Sequence, residues 1–171
     1  MINNNGRAVR AAAATNFKPI PFDKWCDANP MYQPDDFNEA EYRYDENVAH
    51  FSTVDFPITI YRAVQVEKGT QPNLEKAGVY WTWVENSADA YFGSGSIWDQ
   101  GGPHPKHPQT VILKAKVLYS TDVDWDATLL ANMLNEDENE ITIEAGVELQ
   151  LVGIDYGKGY KKPAQKMVTE Y

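Results

Sequence analysis

Cysteine is almost missing from this chain. Cys26 is the single one in 171 residues, which leaves no intrachain disulfide and no thiolate metal cluster, and points to a reducing compartment. Long apolar runs are missing as well. No stretch approaches the roughly 20 residues that a membrane-spanning helix requires. The Ala-rich patch in MINNNGRAVRAAAATNF is too short and too weakly apolar for the core of a signal peptide. The expectation is a cytoplasmic protein with no membrane partner. Basic residues are in deficit, Lys and Arg numbering 15 against 25 Asp and Glu, for a formal charge of −10. A negative field of that size repels phosphate backbones, so nucleic acid is not an expected partner. The acidic surface suits solubility or a basic partner protein.

Familiar catalytic motifs are absent too. GSGSIW carries Gly93 and Gly95, but Trp98 stands where a dinucleotide fingerprint requires its third glycine. Neither a phosphate-binding P-loop nor a nucleophile elbow is recognisable. His104 and His107 in GGPHPKHPQ have a metal-like spacing. Their prolines rule out a helix and no third ligand is evident, so no metal site is assigned.

What is present is globular: 43% hydrophobic and 12% aromatic residues, in a length that fits one structural domain with a substantial core. Residues 1 to 34 are rich in Asn, Pro and Ala and read as a loosely ordered arm. Phe37, Ala40, Tyr44, Val48 and Phe51 then recur every three or four residues, predicting an amphipathic helix capped by Asp35 or Asp36. Residues 1 to 56 thus form an N-terminal arm and helix packing on a core of residues 57 to 171. ITIYRAV (58 to 64) reads as a strand and GVYWTW (78 to 83) as a second, followed by a helix through Ala88, Ala90 and Phe92. Residues 93 to 109 are a Gly/Pro-rich loop, 110 to 119 a strand and 126 to 134 a helix. EITIE, a turn at Ala145 and Gly146, and VELQLVGI predict an antiparallel hairpin. The order is α+β rather than the alternation of a doubly wound sheet.

Three features carry chemistry. Arg62 stands in an otherwise apolar strand and needs water, a carboxylate or another anion, because burying it unpaired is expensive; its planar fork suits phosphate or carboxylate. Tyr80 and Tyr91, with ten residues between them, are either aromatic core or the walls of a slot for a flat, cationic ring. Glu138 and Glu140, two apart at the start of a strand, share one face while Ile141 and Ile143 take the other. They form either an acidic strand edge or a functional carboxylate pair.

Together these segments resemble the ADP-ribosyltransferases over roughly residues 58 to 154. ITIYRAV is similar to the first core strand, which bears an arginine in toxin-like members. GVYWTWVENSADAY is similar to the glycine–aromatic strand and spaced tyrosine pair of the polymerase and diphtheria-type branch. ENEITIEAGVELQLVGI looks like the catalytic glutamate strand. Arg62 belongs to the Arg–Ser–Glu branch and the two tyrosines to the His–Tyr–Glu branch. The Ser-Thr-Ser of the former is replaced by Trp81, Thr82 and Trp83.

The resemblance implies a small split β-sheet sandwich with NAD in the cleft, residues 57 to 171 forming the catalytic core. It implies Glu140 as the carboxylate beside the ribose and Glu138 serving the acceptor. Arg62 would hold a phosphate, Tyr80 and Tyr91 would stack on nicotinamide, and Thr82 would support the strand or touch the ribose. The implied activity is NAD-dependent mono-ADP-ribosylation of a protein target with a basic or arginine-bearing surface, as in a phage or bacterial effector acting in the host cytoplasm. The alternatives are an NAD glycohydrolase on the same scaffold and a catalytically silent binding protein. Loop 94 to 109 and segment 128 to 137 would flank the cleft and meet the target, with Trp98 either an anchor or a loop-packing residue.

Overall fold

The computed structural model describes residues 16 to 66, 71 to 73, 77 to 84, 109 to 135 and 139 to 155. Helix α1 (Phe22–Ala28) and the longer α2 (Phe37–Ser52) precede strand β1 (Ile58–Val66). Strand β2 (Tyr80–Thr82), β3 (Gln109–Val117), helix α3 (Trp125–Leu134), β4 (Glu140–Thr142) and β5 (Gln150–Asp155) follow. The class is α+β. The five strands form one antiparallel sheet in the order β4-β2-β1-β3-β5.

Both long helices start where a carboxylate takes up the first unpaired amides. Asp36 accepts from the backbone N–H groups of Asn38 and Glu39, and Asp124 accepts from that of Ala127. Helix α2 turns Ala40, Tyr44 and Phe51 into the interior. Phe37 opens the helix but stays exposed, its ring touching Phe22 at the rim.

The helices cover one face of the sheet. Ile60, Leu113, Ala115, Val117, Trp81 and Ile141 meet Phe51, Trp125, Leu129 and Met133 there. The described part of the N-terminal arm is not loose. Phe17, Phe22, Trp25 and Tyr32 are buried in the same core, with Trp25 against Tyr32 and Tyr44 and Phe17 against Phe51. Aromatic rings bury more area per side chain than the arm's Asn/Pro/Ala composition suggests, and that area orders the segment.

The predicted hairpin does not form. Ala145 and Gly146 do make a turn, with Gly146 at φ +82°, but β4 and β5 lie at opposite edges of the sheet. The reason is that β4 has no vacant side. Its inner edge pairs with β2 through Tyr80↔Thr142, Trp81↔Ile141 and Thr82↔Glu140. Its outer edge is taken by α3: the Thr142 N–H donates to Thr128 Oγ1 at 3.0 Å, and Asn132 Nδ2 donates to the Glu140 carbonyl at 2.6 Å. The Asp124 N–H completes the closure by donating to the Thr142 carbonyl at 2.9 Å.

Within segment 128 to 137, Thr128, Leu129, Asn132 and Met133 are buried and Leu134 is exposed, while residues 136 to 138 lie outside the described residues. Covering an exposed edge with a helix is a common remedy for unpaired backbone groups. Here two polar side chains supply the missing bonds.

A Thr128→Val substitution keeps the shape of the side chain but strands the Thr142 N–H. Loss of about 1 to 3 kcal/mol of stability is expected, measured by denaturant unfolding. Thr142→Val should behave oppositely. Among the described residues the buried Thr142 hydroxyl has no hydrogen-bond partner, so its replacement by a methyl leaves stability unchanged or raises it by up to about 1 kcal/mol.

Candidate functional site

Strand alternation sorts the candidate residues by face. Thr82 pairs with Glu140 on one side and Tyr61 on the other, Tyr61 pairs with Lys114, and Lys114 pairs with Gly153. Directly opposed residues in an antiparallel sheet project from the same face. Glu140, Thr82, Tyr61 and Lys114 therefore form one row across four strands, on the face opposite the helices. Tyr80, two residues before Thr82, shares that face and is 59% exposed. The row is sheltered: Thr82 is buried and Tyr61, Lys114 and Glu140 are half-buried.

Local contacts hold this row in place. The Thr82 hydroxyl accepts from the Val84 N–H at 3.2 Å, fixing its rotamer at the end of β2. The Glu140 backbone is anchored by Asn132, which also donates to the Thr128 carbonyl at 2.7 Å. The Lys114 ammonium lies over the Tyr61 ring, 5.7 Å from its centroid, a cation–π contact that draws it along the row toward β2.

Arg62 is elsewhere. It falls between Tyr61 and Ala63 and so alternates to the helix-bearing face, away from Glu140 and Thr82. Its Nη1 donates to the Tyr80 carbonyl, and its guanidinium lies beside Gly78, where an added Cβ would stand 3.5 Å from Nη2. Gly78 is at φ +78°, a conformation glycine adopts without strain. The registered ladder between β1 and β2 is the single pair Tyr61↔Thr82. Where the next bond would form, the Arg62 fork takes the Tyr80 carbonyl instead. It acts as a wedge between the two strands, held by a backbone carbonyl.

The tryptophans of GVYWTW belong to the other face. Trp81 is core, its Nε1 donating to the Gly78 carbonyl at 3.0 Å. Trp83 is half-buried against His50 and Phe51. It helps to line a cleft of about 270 Å³ shared with His50, Phe51, Ile58, Trp125 and Ile141. This aromatic cleft, and Lys114 in the row, are not singled out by motif reading. The signal for Lys114 was the alternation of VILKAKV, which places Lys114 and Lys116 on one face of an apolar strand. The cleft had no local signal, because its rings come from three distant segments.

Tyr91 and Glu138 lie outside the described residues, as do Trp98, His104 and His107. Among the described residues no group of three His, Cys, Asp or Glu side chains is placed to hold a metal ion. Burial, with Asp27 and Asp23 nearby, pushes the Cys26 thiol up from its ordinary range, leaving it a poor nucleophile at neutral pH. Comparison with protein-family models, curated proteins and solved structures gave no match for this chain.

The wedge role predicts that Arg62→Lys, which keeps the charge and loses the fork, lowers stability by about 1.5 kcal/mol, the lower end for a bond to a charged group. Thermal unfolding checks it. An unchanged melting temperature would remove Arg62 from the support of β2.

Proposed function

We propose that this chain is an NAD-dependent mono-ADP-ribosyltransferase acting on a protein target, with β4, β2 and β1 forming the catalytic part of an ADP-ribosyltransferase-type sheet. The observation that carries the reading is the Thr82↔Glu140 register. It sets a half-buried carboxylate beside a hydroxyl, with the exposed Tyr80 ring on the same face.

Breaking the bond between nicotinamide and ribose builds positive charge on the ribose ring, as in glycoside cleavage. A carboxylate held near the ribose 2′-hydroxyl stabilises that charge more in the transition state than in the ground state, which is the requirement for catalysis. Glu140 supplies it and Thr82 lines the same wall. Tyr80 offers its ring to nicotinamide, an electron-rich face for a cationic ring. Glu138 and Tyr91 are assigned to the acceptor and to the second wall of the slot by the sequence resemblance, which also favours an arginine acceptor and an effector working in a host cytoplasm.

A second reading, a binding protein that has lost the chemistry, is favoured by one observation. Arg62 holds the Tyr80 carbonyl instead of projecting beside Glu140. Failure of millimolar NAD to raise the melting temperature would establish that reading in place of the first.

Glu140→Gln is the decisive variant for the chemistry. The fold grips residue 140 through its backbone carbonyl, a contact glutamine keeps, so the variant is expected to fold and bind NAD. Nicotinamide release should fall by about 10² to 10³, the usual effect of removing one electrostatic contact to a developing charge. Glu138→Gln should lose label transfer to protein while slow hydrolysis continues. Equal nicotinamide release with and without protein acceptors would assign the scaffold to a glycohydrolase, and wild-type rates in Glu140→Gln would refute the role of Glu140.

A further inference from the structure

The transferase reading leaves the diphosphate of NAD without a partner on the row, since Arg62 lies on the other face. The chain carries a net charge of −10, so a dianionic group needs a local cation to approach at all. The described cations are few. Arg43 donates to the carbonyls of Asn132 and Met133 at the end of α3, and Arg62 to that of Tyr80. Lys18 and Lys24 belong to the N-terminal segment and α1. Lys114 and Lys116 alone stand on the sheet face that bears Glu140, and Lys114 stands in the same row.

We infer that Lys114 is the anion-binding residue of the site and receives the diphosphate of the dinucleotide; this rests on the transferase reading above. Three observations carry it. First, the pairings Glu140↔Thr82↔Tyr61↔Lys114 put carboxylate and ammonium on one line perpendicular to the strands. Second, the ammonium is drawn over Tyr61, so it sits above β1, two strand spacings or about 10 Å from β4. One ribose and its 5′-diphosphate, with a hydrogen bond at each end, bridge such a gap. Third, the neighbour of Lys114 on β5 is Gly153, where even an added Cβ would stand in ordinary contact with the lysine stem, 3.8 Å from Cδ, so no β5 side chain crowds it. Tyr61, between the two charged ends, provides an apolar floor for the sugar.

Lys116 serves as the internal comparison. It is on the same face but opposes Thr59, two residues beyond the row. Binding would be measured by saturation-transfer magnetic resonance with NAD and with nicotinamide riboside, which keeps the reacting ribose and lacks phosphate. Lys114→Met should weaken NAD about ten-fold or more and leave the riboside unchanged, Lys114→Arg should recover most of the affinity, and Lys116→Met should have a smaller effect. If Lys114→Met does not fold by melting curve, Lys114→Gln replaces it in the same comparison. NAD affinity unchanged in a folded Lys114 variant, or equal losses for NAD and the riboside, overturns the assignment while the transferase reading stands. Wild-type protein that binds neither compound overturns both.

Discussion

The outer edge of β4 is closed by a hydroxyl and an amide from the interior of α3, and the candidate site hangs on that closure. Thr128 and Asn132 take the Thr142 N–H and the Glu140 carbonyl. A strand of three residues cannot hold its register by ladder bonds alone. Two bonds from the buried side chains of Thr128 and Asn132, with the apolar contacts of Ile141 and Ile143, hold it instead. Because side chains alternate, a slip of one residue would turn Glu140 into the core and bring Ile141 to the outer face. The position of the carboxylate is therefore decided inside the molecule, several residues away from any surface a ligand touches.

The same alternation divides the molecule into two chemically distinct sides. The helix-bearing side is apolar and crowded with rings from α1, α2, β2 and α3, and it ends in the cleft around Trp83 and His50. The other side presents carboxylate, hydroxyl, phenol and ammonium in a line. Arg62 belongs to neither chemistry outright. By capping the Tyr80 carbonyl it ends the β1–β2 ladder early and leaves Tyr80 exposed on the outer face. A residue that looks like a ligand contact in the sequence thus holds the backbone of the neighbouring strand.

Much of the framework is legible in the sequence, where the signals are local. Asp36 before an i, i+3, i+4 run predicts α2, and the β-branched runs predict β1 and β3 to within two residues. The failures are non-local. EITIE and VELQLVGI have the composition of a hairpin, but nothing near them in sequence says that a helix closes β4 or that β5 is wanted at the far edge. The aromatic N-terminal segment looks loose because its Asn and Pro content hides four buried rings. For the site, the pairing of Glu140 with its neighbours depends on β2 and β4, each only three residues long, too short for periodicity to reveal a face. Arg62 shows a further limit. The sequence states that it needs a partner, and only the fold reveals a carbonyl on the adjacent strand.

The central claim is that NAD occupies the row face and not the aromatic cleft. The most direct measurement is a titration of NAD into isotope-labelled protein, following backbone amides and tryptophan indole N–H signals. The account predicts shifts at Tyr61, Thr82, Lys114 and Glu140, with the indole signals of Trp83 and Trp125 little affected, since those rings line the opposite face. Shifts confined to Trp83, Trp125, His50 and Phe51 would contradict it and move the ligand to the cleft.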